Sequence, residues 1–216
     1  MALTGSSFDM DGTLLDSMEL WKGTIPAFLR RIGLPLTDAQ ADEVECMMLE
    51  EIPGWIEKNF GIGLEPSALI LGINQETEYG YYNTVVPKPG VVETLEKLRD
   101  MDVKMVVATA TEMYLTKAVL TRLELDQYFE ACFTASEYHT SKYEPEIFNI
   151  AHDFLGTPKE STWVFEDALK CIRGAKKAGF PVVAVEDSYA EPDKEDILAL
   201  ADRYVERLTD LDLTTL

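Results

Sequence analysis

The sequence predicts an α/β protein, a Rossmann-like doubly wound parallel sheet with an α-helical segment inserted near its start. Three observations carry this expectation. Short apolar runs, VKMVVA at 103–108, ACFTA at 131–135, TWVF at 162–165 and PVVAV at 181–185, have the length and residue types of buried strands. Each is followed by a stretch with the 3.6-residue apolar period of a helix, the alternation expected of parallel strands joined by crossover helices. Residues 18 to about 86 break that alternation, with helical periodicity and no convincing strand.

The first strand is the least typical of the set. In LTGSSF, residues 3–8, Thr4, Gly5, Ser6 and Ser7 stand where a buried strand is mostly Val, Ile and Leu, so its assignment leans on the DMDGT segment after it. Within the insertion, WKGTIPAFLRRIG and DEVECMMLEEIPGWIEKNFG show the helical period, and Gly33, Gly61 and Gly63 signal turns. PKPG at 87–90 supplies a stiff re-entry to the alternating pattern. Helices then read over 91–100, 112–123, 146–155 and 168–178, the last closed by Gly179 as a C-cap. The chain thus divides into a core of residues 1–16 and 87–216 and a helical segment of residues 17–86.

Composition narrows the partners. With 216 residues, 46% hydrophobic and 10% aromatic, the chain has the make-up of an ordinary folded protein. Its formal charge of −20 repels nucleic-acid backbones and anionic lipid, so neither is an expected partner. An anionic small substrate would need local help from a metal or a lysine. Cys46, Cys132 and Cys171 are odd in number and widely spaced, which suggests partly buried thiols rather than disulfides or a thiolate metal site. No basic segment precedes a long apolar run, and no stretch approaches the roughly 18 apolar residues of a membrane span, so a cytoplasmic location is expected. A monomer is compatible with the sequence, which does not encode an oligomeric state legibly.

The chemistry concentrates in FDMDGTLLDS, residues 8–17. Asp9 and Asp11 need a bend before both can address one reacting group, and Gly12 supplies the freedom for it. Two close carboxylates repel, so either one is protonated near neutral pH or a cation sits between them, and both outcomes serve phosphoryl transfer. A hard cation such as Mg2+ would want a further acid, and Glu166 and Asp167 in VFEDA follow the strand TWVF closely enough to reach the same sheet edge. Alone, an adjacent Glu-Asp pair also reads as a helix N-terminus. Thr109, after VKMVVA, offers a hydroxyl to a phosphoryl oxygen, and Lys142, in TSKYEPEIF, offers a charge to neutralise it. His139 and His152 read as surface or helix residues, Trp21, Trp55, Tyr81 and Tyr82 as packing or pocket lining, and Met47 and Met48 as core of the helical segment.

In order and spacing, Asp9 to Thr13, Thr109, Lys142 and the Glu166–Asp167 pair resemble the haloacid dehalogenase superfamily phosphohydrolases, in the subgroup that includes phosphoglycolate phosphatase and beta-phosphoglucomutase. The resemblance implies a catalytic core bearing a helical cap at 17–86; because water must be excluded during attack and then admitted, the two joins near 15–18 and 86–90 are the expected hinges. It implies that Asp9 attacks phosphorus and that Asp11 protonates the leaving alcohol and then deprotonates water. Mg2+ would be held by the Asp9 side chain, the Asp11 backbone carbonyl and Asp167, with Glu166 directly or through water. Thr109 and Lys142 would hold the transferring group, and Thr13 would support the Asp11 loop. The chain departs from the family pattern in its Thr-Gly-Ser-Ser first strand and in Tyr143, where proline commonly follows the lysine.

The expected activity is Mg2+-dependent hydrolysis of a small phosphorylated substrate. A phosphosugar mutase is the alternative, disfavoured because the insertion's basic residues are only Lys22, Arg30, Arg31 and Lys58. A cap lysine for phosphonate cleavage has only Lys22 and Lys58 as candidates. A non-catalytic metal-binding or phospho-accepting signalling protein is the reading of a different class.

Overall fold

A computed structural model describes residues 2–45, 47 and 49–216; Cys46 and Met48, expected as a thiol and a core residue, lie outside the described residues. The chain forms two compact units, residues 1–17 with 85–216, and residues 18–84. β1 (Gly5–Phe8) leads through a tight turn to the two-residue β2 (Leu15–Asp16). The second unit comes next, with α1 (Met18–Trp21), α2 (Thr24–Arg31), α3 (Asp38–Glu45), α4 (Ile52–Phe60), α5 (Pro66–Tyr79) and a π-helical turn over Gly80–Thr84. The chain returns through β3 (Val86–Pro87), antiparallel to β2. It then alternates through α6 (Val91–Asp100), β4 (Lys104–Thr109), α7 (Met113–Arg122), β5 (Ala131–Thr134), α8 (Glu146–Leu155) and β6 (Thr162–Glu166). It ends with α9 (Leu169–Lys177), β7 (Val182–Val185), α10 (Lys194–Leu200) and β8 (Arg203–Val205).

Six strands pair in parallel in the order β5-β4-β1-β6-β7-β8. The chain fills one side of β1 first and then crosses back to fill the other. The carboxyl ends of strands at such a reversal form the crevice where open α/β sheets bind ligands, and the residue immediately after β1 is Asp9. On one layer of the sheet, Val106, Phe148, Val164, Ile172, Val182 and Ile197 belong to a single apolar core.

The small residues of β1 have a packing reason. Every residue of this central strand is buried, and a side chain at Gly5 would place its Cβ 2.5 Å from Thr157 Oγ1. The Ser6 and Ser7 hydroxyls find no hydrogen-bond partner, so it is their volume that suits the strand. Phe8 restores apolar contact at the strand end, stacking on Phe165 of β6 with ring centroids 4.3 Å apart and meeting Phe129 edge-on at 6.0 Å.

In the helical unit, Ile25, Phe28 and Leu29 of α2, Ile52, Trp55 and Ile56 of α4, and Leu69 and Ile73 of α5 share one cluster, with Met47 packed against it. The helical period over 21–33 is interrupted at Gly23, whose φ of 72° separates α1 from α2. Trp21 Nε1 donates to Tyr81 Oη at 2.9 Å, which fits packing rather than an open pocket lining, whereas Tyr82 is exposed. The units divide after residue 84 rather than after 86, because Val86 and Pro87 pair with Asp16 and Leu15. α10 and β8 lie beyond the strands read from the sequence; Arg203 is exposed on this edge strand, too short and polar for its pattern to register. His139 is an exposed turn residue, and a ring nitrogen of His152 lies 2.8 Å from Thr157 O within the α8 region. Among the described residues, no helix is long and apolar enough to cross a membrane.

Because the β1 hydroxyls are buried without partners, Ser6→Ala and Ser7→Ala should leave stability unchanged or raise it by up to about 1 kcal/mol. Urea unfolding checks this; a loss of more than about 1 kcal/mol would mean that the hydroxyls are bonded after all.

Candidate active site

Asp9 is fixed where β1 meets β6, its N–H donating to Phe165 O at 2.9 Å. The chain then turns sharply. Leu14 and Leu15 N–H groups both donate to Met10 O, at 3.0 and 2.8 Å, and Gly12 N–H donates to Leu15 O at 3.0 Å. Gly12 has φ 86°, and a Cβ there would overlap Asp167 Oδ2, so no other residue fits this turn without displacing Asp167.

The turn holds the two aspartates in different surroundings. Asp9 is buried, and one of its oxygens, Oδ1, is bound by the Lys142 ammonium. Asp11 is partly exposed; its Oδ1 accepts from Ser17 Oγ and its Oδ2 from Thr111 Oγ1, each at 2.6 Å. Thr109, the buried last residue of β4, accepts from Thr111 N at 3.1 Å and so shapes the loop that delivers Thr111 to Asp11.

Lys142 comes from the loop between β5 and α8, and its ammonium contacts both Asp9 Oδ1 and Glu166 Oε1. Gly174 of α9 makes its seat, since a Cβ at that position would overlap the Lys142 carbonyl oxygen. The loop therefore reaches the crevice with Tyr143 in place of the common proline. Glu166 ends β6, and its Oε2 accepts from Asp167 N at 2.8 Å and Ala168 N at 3.1 Å at the entry to α9. These two amides precede α9, whose first turn carries no acid, so the Glu-Asp pair is not the cap of that helix, and the other Glu166 oxygen faces Lys142. Thr13 Oγ1 donates to Asp167 Oδ1 at 3.2 Å.

Burial pushes the Asp9 carboxyl up to about 7 against the pull of Lys142, and the negative charges of Glu166 and Asp11 add to the rise. Burial also holds Asp167 well above the usual carboxylate range, with further repulsion from Glu166, Asp9 and Asp187. Burial disfavours the Lys142 ammonium, but Asp9 and Glu166 outweigh it and hold its pKa well above the usual value.

Asp9, Glu166 and Asp167 each bring an oxygen within 4.8 Å of the others, all buried. If all three carboxylates were ionised together against one ammonium, two excess negative charges would remain in a dry space. An all-oxygen set with that surplus suits a hard divalent cation. Glu166 Oε1, buried and touching the ammonium without an aligned hydrogen bond, has capacity left for such a ligand. The Asp11 carboxylate stands outside this set among the described residues, its oxygens held by Ser17 and Thr111.

A family model for haloacid dehalogenase-like hydrolases matches residues 7–185, from β1 through β7. The chain belongs to this family. In this hydrolase the matched span contains every residue of the cluster. A fructose-1-phosphate phosphatase of Escherichia coli is 30% identical over 189 residues, covering 84% of this chain and 95% of that protein. A phosphorylated carbohydrates phosphatase of Thermotoga maritima is 26% identical, covering 80% of each chain. The fold is shared with CbbY of Rhodobacter sphaeroides, solved with phosphate, at a TM-score of 0.84 and 19% identity over 99% of this chain and 100% of that one.

Ser17, Thr111, Gly174 and Lys88 escaped sequence reasoning. Ser17 closes the FDMDGTLLDS stretch and Thr111 follows Thr109 by two residues, but nothing in either spacing marks a carboxylate partner.

A carboxyl raised from 3.8 to about 7 binds more protons folded than unfolded between those values. The stability it gives is present at low pH and lost as pH rises through that window. The metal-free protein should therefore lose melting temperature as pH rises from about 5 to about 8, and an added divalent cation should restore more at the higher pH, because it displaces protons. Differential scanning calorimetry checks both; a cation effect that shrinks as pH rises would refute the assignment.

Proposed function

We propose that this hydrolase cleaves a small phosphorylated metabolite, a sugar phosphate or similar phosphomonoester, in a Mg2+-dependent reaction that passes through a phosphoryl group on Asp9. The observation that carries it is the pairing of a buried, lysine-bound Asp9 with a partly exposed Asp11 two residues on. In this reading Asp9 attacks and Asp11 exchanges protons. Asp9 Oδ2 or Oδ1 forms the bond to phosphorus as the ester oxygen leaves, and Asp11 gives that oxygen its proton. Asp11 then takes a proton from the water that attacks phosphorus and frees Asp9. Lys142 and the Thr109 hydroxyl hold oxygens of the transferring group.

Mg2+ would be held by Asp9, the Asp11 carbonyl, Asp167 and Glu166, and when bound it supplies charge neutralisation between the nucleophile and the phosphoryl group. In this reading residues 18–84 act as a cap that excludes water during attack and admits it for hydrolysis, with hinges near 15–18 and 86–90. A cytoplasmic monomer fits this reading.

The relatives named as phosphatases of fructose 1-phosphate and of phosphorylated carbohydrates support a small sugar-like substrate. Hydrolysis is favoured over mutase chemistry because the helical unit holds only four cations and three of them face acids: Lys22 lies 3.6 Å from Glu19, Arg30 lies 3.7 Å from Asp38, and Arg31 pairs with Glu76. Little positive charge is left for a second phosphate.

Phosphate release from a panel of sugar phosphates, phosphoglycolate, nucleotides and p-nitrophenyl phosphate tests the proposal. Asp9→Asn should reduce release to background, Asp11→Asn should lower kcat by about 10²- to 10⁴-fold, and a chelator should abolish activity until Mg2+ is returned. Turnover that survives Asp9→Asn would sink it.

A further inference from the structure

One largely buried cation at this sheet edge has no part in the phosphoryl transfer itself. Lys88 follows β3, at the second join between the two units, and its side chain is 15% exposed. Its ammonium donates to Gly12 O at 2.6 Å, to Glu186 O at 2.5 Å and to Asp187 Oδ2 at 3.0 Å. The three donors of an ammonium are thereby all used, on acceptors from two separate segments. Glu186 and Asp187 follow β7, and Gly12 lies in the turn after β1. Lys88 thus spans the end of β6, the strand between them, which carries Glu166 and Asp167. Its own N–H donates to Leu14 O at 2.9 Å, so the join grips the Asp11–Gly12 turn by side chain and backbone together.

We propose that Lys88 is a positioning residue for the phosphatase reaction: by fastening the Gly12 carbonyl to the Glu186–Asp187 segment, it holds the Asp11–Gly12 peptide against Asp167. The consequence lies in the tight contact of this turn, in which Gly12 sits so close to Asp167 Oδ2 that even a methyl group would overlap it. Two groups that close cannot both keep their places if the turn relaxes. Released from Lys88, the turn would carry the Asp11 carbonyl and side chain away from Asp9 and Asp167. Displacements of about 1 Å at reacting groups cost about 10²-fold in rate. Asp187 is the obvious alternative reason for Lys88, as a 7% exposed carboxylate that needs a counter-charge. The two roles give opposite signs for metal affinity. Removing a positive charge near an acidic cluster strengthens cation binding if Lys88 acts only by its charge, and weakens it if Lys88 sets the geometry of the ligands.

This inference rests on the phosphatase reading, and the experiment separates the two. Wild type, Lys88→Met, Lys88→Arg and Asp187→Asn are compared by kcat and KM on p-nitrophenyl phosphate, by melting temperature, and by calorimetric titration with Mg2+. Lys88→Met should lower kcat about 10- to 100-fold with KM within about threefold, and weaken Mg2+ binding about tenfold. Asp187→Asn removes the same ion pair but leaves the Gly12 bond, and should keep kcat within about threefold. Lys88→Arg keeps the charge but cannot direct three diverging donors from a planar fork, so it should fold and still lose about five- to tenfold in kcat. That variant decides the matter if Lys88→Met does not fold. If the wild type releases no phosphate, the phosphatase reading fails, and the Mg2+ titration alone judges Lys88. Wild-type kcat in Lys88→Arg, tighter Mg2+ binding in Lys88→Met, or equal losses in Lys88→Met and Asp187→Asn would overturn the positioning role.

Discussion

The rest of this site depends on one buried contact, the Lys142 ammonium between Asp9 and Glu166. Carboxylates placed in a dry space either take up protons or require positive charge, because the charged form loses its hydration there. One lysine meets part of that need. It leaves Asp9 raised to about 7 and Asp167 raised well above its usual range. A site balanced in this way is unfinished electrostatically, and a divalent cation would complete it. A bound divalent cation would also offset the surplus negative charge that otherwise opposes an anionic phosphate ester at this site, on a chain whose net charge is −20.

Holding that contact makes demands far from it. Lys142 arrives on a loop whose carbonyl lies against α9, which requires Gly174, and Asp167 lies against the turn after β1, which requires Gly12. Glu166 is fixed by amides at the entry to α9. The site is thus assembled from the ends of β1, β4 and β6 and from the loop after β5, and the sheet order brings β5, β4, β1 and β6 side by side. Such strained, like-charged arrangements are where proteins give up stability for function.

Much of this was legible in the sequence because the reacting groups follow strands, and buried strands announce themselves by their apolar runs. Asp9, Thr109, Glu166 and Asp167 could be placed on one sheet edge from position alone. Lys142 was less determined, since seven residues lie between it and the end of β5 at Thr134. What stayed hidden acts through contacts between distant segments. Gly174 looks like any small residue of an amphipathic helix until the Lys142 carbonyl is placed beside it, and Lys88 looks like a surface lysine in a proline-rich join. Thr111 binds Asp11 across 100 positions of sequence, a pairing no periodicity encodes. The glycine and serines of β1 weakened a strand assignment that the structure bears out, because a central strand packed this tightly selects for volume before hydrophobicity. At Gly23 a left-handed residue divided a continuous helical pattern, a break the apolar period alone does not register.

In the proposed reaction Asp9 carries the phosphoryl group. The most direct measurement is mass spectrometry of acid-quenched single turnovers with Mg2+ and a turned-over phosphomonoester, run on the wild type and on Asp11→Asn, in which loss of the proton acceptor should slow release from the enzyme. A transient phosphoryl mass is expected on the peptide containing Asp9, more persistent in Asp11→Asn and missing in Asp9→Asn. Product formation with no modified peptide at any time, or a phosphoryl group on a peptide that lacks Asp9, would contradict it.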